Sequence, residues 1–539
     1  MLFTGLTNKK RRKKIRGIIR GYRILKKDKR LNLIEELKSK MSKCTFSDNQ
    51  KHYSVAVFGA AHASAELVVK QYMYSKFLLN NKFNKAVLYS IGTKSHIVYP
   101  LPKQWIDLLS ESGILIRKKY CMTYWSLIVT IYWFYGVFKG VKYLVSSALC
   151  LPYIKNKKLI PYVYFSDLPS NAVPKENNDV HTHNIINWYI LWSKKKGKRY
   201  RLIMHDAPGI NSNVILDKVL ISQSPLFDNV YLRLHTYFIY FGWIFRLIAL
   251  SVIDVALFRW WNLLLFSQAV DARKIKYASI NCIPLDSLFN NQGHLYRPLW
   301  TYEAENRGAR ILFYFYSCNN EVFKTSSGYS EIPNGWDLTN WPLYLVWDEY
   351  NNNFVKRIIG SNSNTEIVGP IWFSGLNKKI PNPQGKIISV FDVVPRRSSL
   401  YAEFLMGTDY YIPEIVNQFF EDICDVLGEK AFIFYKKKRS IGKNEHRKYT
   451  NSIFRLQKKY PNKFVSVDPD IAALELIKKS YAVISLPFTS TAIIAKEYGK
   501  TSIYYDPSGI IKKEDRAAHG IVILTGKKEL TDWIKKINL

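Results

Sequence analysis

The chain has 539 residues, with 79 Lys and Arg against 42 Asp and Glu and a formal charge of +37. That length excludes a single small domain, and 47% hydrophobic with 15% aromatic residues excludes intrinsic disorder, since ample apolar surface offsets the entropy of ordering. A charge of this size narrows the partners to polyanions: nucleic acid, an anionic membrane surface or phosphorylated small molecules.

Six cysteines, none in a C-x-x-C pair, are too sparse for a disulfide scaffold and read as buried reduced thiols of a cytosolic protein. The first residues are basic but carry no apolar h-region and no small-residue cleavage site, so no secretory signal is expected.

The run 9–30 (KKRRKKIRGIIRGYRILKKDKR) holds thirteen Lys and Arg with Asp28 as its one acid. Ile15, Ile18, Ile19, Tyr22, Ile24 and Leu25 recur near helical spacing, which makes the run a basic amphipathic helix suited to anionic lipid, within an amino-terminal segment 1–50. A solvated tail and a nucleic-acid arm remain open for it, although nothing beside the run reads bases. The stretches 121–150 and 231–266 are long, apolar and dense in Trp, Tyr and Phe. Lys139, Lys142, Arg246, Asp254 and Arg259 interrupt them, so helices lying in the membrane interface are expected ahead of buried core helices or true spans.

The remainder alternates short apolar runs with helical patterns. Strands are expected at 54–59, 86–91, 161–165, 201–204, 311–316, 343–347 and 366–369, and again at 386–391, 431–435, 464–467, 481–485, 502–505 and 521–524. Helices are expected between many of them, as at 412–427 and 471–480. Alternation of this kind implies parallel sheets covered by helices. The Pro/Gly-rich 376–385 is the linker, giving an α/β protein of two Rossmann-like domains, 51–375 and 386–539, facing a cleft, with the apolar helices inserted into the first.

Residues at strand ends carry the candidate chemistry. Asp206 with His205, after strand 201–204, and Glu66, one helical turn after His62, are candidates for a base that deprotonates a hydroxyl. Thr489, Ser490 and Thr491 open a helix after strand 481–485, where free amides, hydroxyls and the positive dipole end meet an anion; plain N-capping is the competing role. Lys436, Lys438 and Arg439 follow strand 431–435, and Arg516 and His519 follow 502–505; all are cations suited to phosphate. Asp506 ends that last strand, where it either receives sugar hydroxyls or forms a turn. His181 and His183 lack further spaced ligands, and Asp470 of the DPD at 468–470 reads as an N-cap, so no metal and no cofactor are expected. No Walker, nucleophile-elbow or Cys/His nucleophile pattern occurs, and no nucleic-acid module is recognised.

The block SLPFTSTAIIAKEYGKTSIYYDPSG, continuing to KKEDRAAHGIVIL (485–524), resembles the bacterial polysaccharide-biosynthesis proteins named for their PFTS motif. FYSCNNEVF, GWDLTNWPLYLVWDEY, VGPIWFS and ISVFDVVP are similar to the same family, so the resemblance covers roughly 305–539. It implies a GT-B glycosyltransferase of surface polysaccharide (O-antigen or capsule) biosynthesis. The Pro-Phe-Thr-Ser turn is similar to the phosphate-binding turn of CMP-sugar users such as sialyl- and Kdo-type transferases. By that similarity Thr489, Ser490 and Thr491 hold the donor phosphate. The expected enzyme is metal-independent and peripheral to the cytoplasmic face of the inner membrane. Its amino-terminal domain takes a lipid-linked glycan and its carboxy-terminal domain a nucleotide sugar, with a CMP-linked ulosonic acid favoured. The rival readings are a non-catalytic membrane scaffold of a polysaccharide assembly complex and a nucleic-acid-binding protein.

Overall fold

Apolar runs of four to six residues, each leading into a helix, pair as parallel strands because the helices cover both faces and remove the need for a polar side. The computed structural model describes Lys103, Ile106, Asp107 and residues 117–539, except for 151–159, 169, 175–184, 208–212, 225–231, 291–296, 319, 326–327, 330–335, 337–338, 372–379, 396–409, 438–441, 443–444 and 470. The basic run 9–30, the expected strands at 54–59 and 86–91, His62, Glu66, His181, His183, Lys438, Arg439 and Asp470 lie outside the described residues.

The first sheet holds β1 (Tyr162–Phe165), β2 (Leu202–His205), β3 (Val214–Leu216), β4 (Val219–Gln223), β5 (Asp286–Asn290), β6 (Arg310–Tyr314), β9 (Leu343–Val346) and β10 (Thr365–Ile367). Their spatial order is β10-β9-β6-β5-β1-β2-β4-β3, parallel throughout except for β3 against β4. A two-stranded hairpin, β7 (Lys324–Thr325) with β8 (Gly328–Tyr329), projects from the connection after β6. The second sheet holds β11 (Ile387–Phe391), β12 (Phe432–Lys436), β13 (Phe464–Val467), β14 (Ala482–Ser485), β15 (Thr501–Asp506) and β16 (Val522–Thr525). Its order is β13-β12-β11-β14-β15-β16, all parallel. This is the doubly wound 3-2-1-4-5-6 order of dinucleotide-binding sheets, and it turns outward between β11 and β14. The first sheet turns in the same way between β1 and β5. The α/β architecture of two Rossmann-like sheets expected from the alternation is the one the chain forms.

Three helices form a layer on the first half. The stretch expected at 121–150 is one helix, α1 (Lys118–Cys150). The stretch 231–266 is two helices, α3 (Leu234–Ala256) and α4 (Trp260–Tyr277), broken where Phe258 takes a φ of 45°. A shorter helix, α2 (Ile185–Lys195), packs on the sheet between β1 and β2. On α1, Cys121, Trp125, Val129, Tyr143 and Ser147 form a buried stripe at helical spacing. Gly136 lets α4 approach so closely that a Cβ would lie 2.9 Å from the Ser267 amide nitrogen. Trp133 Nε1 donates to Ser251 Oγ of α3 at 2.9 Å, and Lys139 is paired with Asp271 of α4 at 2.5 Å. Asp254 is buried and meets Arg259 at 3.4 Å. Several charges that interrupt these stretches in sequence are therefore satisfied inside the layer.

The outer faces carry Leu127, Ile131, Phe134 and Phe138 on α1, and Phe238, Phe241, Phe245 and Val252 on α3, all exposed. Both helices are long and apolar enough to cross a membrane by length and composition.

Candidate functional site

In open parallel sheets, ligands bind outside the carboxyl ends of the strands, at the point where the strand order reverses. In the second sheet that point lies between Phe391 and Ser485, which are paired in register. The segment after Ser485 is Leu486-Pro487-Phe488, and it leads directly into α10 (Ser490–Glu497). The remaining helices are α5 (Leu299–Asn306), which precedes β6, and α6 (Glu349–Ile358), which follows β9, in the first half, and α7 (Pro413–Leu427), α8 (Arg447–Lys459), α9 (Ala473–Lys479) and the terminal α11 (Gly526–Lys536) in the second.

The turn is held from several sides. The Leu486 amide donates to the Phe391 carbonyl at 2.8 Å, and Tyr411 and Tyr504 donate to the carbonyls of Pro487 and Thr489, each at 2.7 Å. Thr489 is the N-cap residue of α10, yet its hydroxyl does not cap; it shares a 3.1 Å hydrogen bond with Thr491, which in turn meets Ser485 Oγ at 2.9 Å. The competing role of simple side-chain capping is therefore absent for Thr489. Thr489 is buried, while Ser490 and Thr491 reach partial exposure. The first turn of α10 thus presents amides, two accessible hydroxyl residues and a positive dipole end at the switch point, an arrangement suited to an anion.

The other expected donor residues divide differently. Lys436 ends β12 but is buried, and its ammonium donates to the Pro469 carbonyl at 3.0 Å, tying two strand ends together. Asp506 is buried and committed to the turn after it, where it accepts from the Ser508 amide at 2.9 Å, the Ser508 hydroxyl at 2.6 Å and the Ile511 amide at 2.8 Å. Tyr410 donates to the same carboxylate at 3.1 Å. Fully enclosed and held by these four donors, the carboxylate ties the turn together. Arg516 and His519 face the first half of the chain: His519 Nδ1 lies 2.6 Å from Asp348 Oδ2, and Arg516 Nε lies 3.3 Å from Glu321 Oε2. In this arrangement both are junction residues.

On the first sheet, His205 ends β2 fully buried; its Nδ1 accepts the Ala207 amide at 3.2 Å, and burial pushes the imidazole down to about 4. The neutral, enclosed ring supports the turn. Asp206, next in the chain, is half-buried at the carboxyl edge, where it accepts from the Leu168 amide at 3.3 Å and from Tyr164 at 3.2 Å. Leu168 lies just beyond β1, so these bonds bring Asp206 against the switch point of the first sheet.

Sequence reasoning passed over Glu321, Phe323, Arg357 and Tyr411, which the fold brings to the same region as the turn. Asp392, at the end of β11, is buried and accepts from Tyr449 at 2.6 Å and Tyr435 at 3.2 Å. Burial and this carboxylate hold both phenols protonated, as donors. The Pro-Phe-Thr-Ser string was the available signal for the region, but it names a turn and not its tyrosine supports. Among the described residues no three His, Cys, Asp or Glu side chains converge as metal ligands.

A family model described as polysaccharide biosynthesis PFTS motif protein matches residues 243–534. Among solved structures the chain is similar to a sucrose-phosphate synthase from Thermosynechococcus elongatus, at 10% identity and a TM-score of 0.36, covering 70% of this chain and 90% of that one. It is similar also to a glycosyltransferase from Rickettsia africae, at 11% identity and a TM-score of 0.33, covering 70% of this chain and 88% of that one. No curated protein matches the chain.

Proposed function

Because the chain belongs to the polysaccharide biosynthesis PFTS motif family, we propose that it is a glycosyltransferase of bacterial surface polysaccharide. It moves a sugar from a nucleotide donor to a lipid-linked glycan without a metal. The observation that carries this reading is the Pro-Phe-Thr-Ser turn at the switch point of a 3-2-1-4-5-6 sheet, where the amides of α10 with Ser490 and Thr491 suit a phosphate. A leaving phosphate gains charge as the glycosidic bond breaks, and preorganised donors stabilise that charge at no cost of reorganisation. Lys438 and Arg439 follow β12 in sequence and are the further cations assigned to it. Asp206 takes the acceptor proton, with Glu66 as the second candidate. The favoured donor is a CMP-linked ulosonic acid, a choice that rests on the likeness of the turn to those of CMP-sugar users.

The enzyme lies at the cytoplasmic face of the inner membrane, attached in the plane by α1 and α3. Their exposed aromatic and aliphatic faces support this, as do Lys118, Lys119, Lys142 and Arg246, cations that stand exposed on the same two helices.

The test is a thermal-shift panel of CMP-, UDP- and GDP-sugars on the full chain and on Ser490→Ala/Thr491→Ala. One nucleotide class should stabilise the wild type, by about 2.7 kcal/mol at a hundredfold excess over Kd. The double variant should keep its unliganded melting temperature and lose that shift. An undiminished shift in the variant removes the donor assignment. No shift from any nucleotide sugar removes the enzyme reading in favour of a non-catalytic membrane scaffold.

A further inference from the structure

Four blocks far apart in sequence, FYSCNNEVF, WDEY, LPFTS and KKEDRAAHG, meet at one junction between the two halves. Glu321, Phe323, Lys324 and Tyr329, which come after β6 of the first sheet, reach across to the second. Its Phe323 ring lies 4.9 Å from Phe488 of the turn, and 5.9 and 5.8 Å from Tyr410 and Tyr411, centroid to centroid. Tyr411 is the side chain that holds the Pro487 carbonyl, so Phe323 touches both the turn and its support.

Three polar joints surround this aromatic contact. The buried Asp515 carboxylate accepts the Lys324 amide at 2.8 Å and the Tyr329 hydroxyl at 3.2 Å, and Tyr329 in turn accepts the Arg516 amide at 2.8 Å. The buried Glu321 carboxylate lies between Arg357 of α6 and Arg516. His519 meets Asp348, whose other oxygen caps α6 by accepting the Asn351 amide at 2.8 Å. Gly520, at a φ of +72°, packs so close to the first half that a Cβ would lie 2.8 Å from the Tyr350 hydroxyl oxygen. A carboxylate buried between two guanidiniums is costly to expose singly, and a polar group stripped of its partner keeps its desolvation penalty, so such joints close together or not at all.

We propose that this junction is a positioning clasp: the amino-terminal half seats Phe323 against the Pro-Phe-Thr-Ser turn, and the joints around Asp515, Glu321 and His519 hold the halves in this arrangement without a bound ligand. Glu321, Phe323 and His519 are positioning residues, acting on the turn and touching no substrate. The clasp assigns a shared task to the EVF and KKEDRAAHG strings, which donor binding leaves unexplained.

The experiment is amide hydrogen exchange by mass spectrometry on the unliganded full chain, with Glu321→Gln in the first half and His519→Gly in the second. Gly suits position 519 because it tolerates the φ of 52° there and carries no side chain to meet Asp348. In the wild type, peptides covering 321–329 and 514–520 should both be protected. Each variant, although altered on one side only, should lose protection on both sides by tenfold or more, while peptides from β5 and β11 keep theirs and report an intact fold. Loss confined to the altered side overturns the clasp, as does a wild type in which neither segment is protected. No nucleotide enters the measurement, so the clasp and the donor site can fail separately: an empty nucleotide panel leaves it standing, and one-sided exchange leaves the donor site standing.

Discussion

Asp506 and His205 both stand at the end of a parallel strand, where cleft-facing chemistry is expected, and both are turned inward by the residues just beyond them. Two residues after Asp506, Ser508 returns an amide and a hydroxyl to the carboxylate. Two residues after His205, the Ala207 amide donates to the imidazole. Sequence places a residue at a strand end correctly but does not say which way the next turn folds, so position was legible here and role was not. His205 makes the difference measurable. Its ordinary value near 6.5 is pushed down to about 4, so above 6.5 the ring is neutral in folded and unfolded chains alike and contributes no pH dependence. As pH falls below 6.5 the unfolded chain takes the proton first, and the folded state loses up to about 2 kcal/mol by pH 5. His205→Asn removes this linkage, so its melting temperature should fall less between pH 7.5 and pH 5 than that of the wild type. Parallel pH curves for the two proteins would show that the ring does not titrate in this way.

Among elements, the strands with unbroken Val, Ile, Phe and Tyr runs are found within about two residues of their expected places, as at 464–467 and 482–485. The β5 strand escapes the pattern because its sequence, DSLFN, begins and ends with polar residues although the whole strand is buried. Asp286 is satisfied there by Arg310 Nε at 2.7 Å and Tyr200 at 3.0 Å, partners from β6 and from the segment before β2. Only tertiary pairing makes a buried acid acceptable in a central strand, so hydropathy alone could not mark it. The break between α3 and α4 was hidden for a related reason: 231–266 is apolar on both sides of it. Gly136 and Gly242 separate packing from propensity within this layer. Gly136→Ala must push against the α4 backbone and should destabilise the protein by about 1–3 kcal/mol. Gly242→Ala meets nothing within 4 Å and should stabilise α3 by about 0.5–1 kcal/mol. Thermal or urea unfolding of the two variants should give shifts of opposite sign; equal shifts would contradict the packing described.

For the whole molecule, the proposed membrane attachment joins the exposed apolar faces of α1 and α3 with the exposed cations Lys118, Lys119, Lys142 and Arg246 of the same helices. In-plane attachment requires both, since apolar contact supplies depth and cations supply attraction to anionic headgroups. Co-sedimentation with phosphatidylglycerol-containing vesicles should therefore exceed that with pure phosphatidylcholine and weaken at high salt. Phe134→Ser/Phe138→Ser/Phe245→Ser should reduce it several-fold with the circular dichroism spectrum unchanged. Undiminished binding in that variant would move the membrane contact away from these helices.

The sequence by itself determined the local features. The α/β alternation, the turn at 486–489, the helix it opens and the family all follow from residue order within a few tens of positions, because strand pleat, helix period and turn geometry are short-range constraints. The tertiary structure alone decided which strands are neighbours, and hence that the turn sits where the strand order reverses. It also decided that Lys139 is paired with Asp271 within the helical layer, and that Arg516 and His519 meet Glu321 and Asp348. Those outcomes depend on groups more than a hundred residues apart, or on the facing of neighbouring helices, and burial makes each charge seek whichever partner the packing brings within reach.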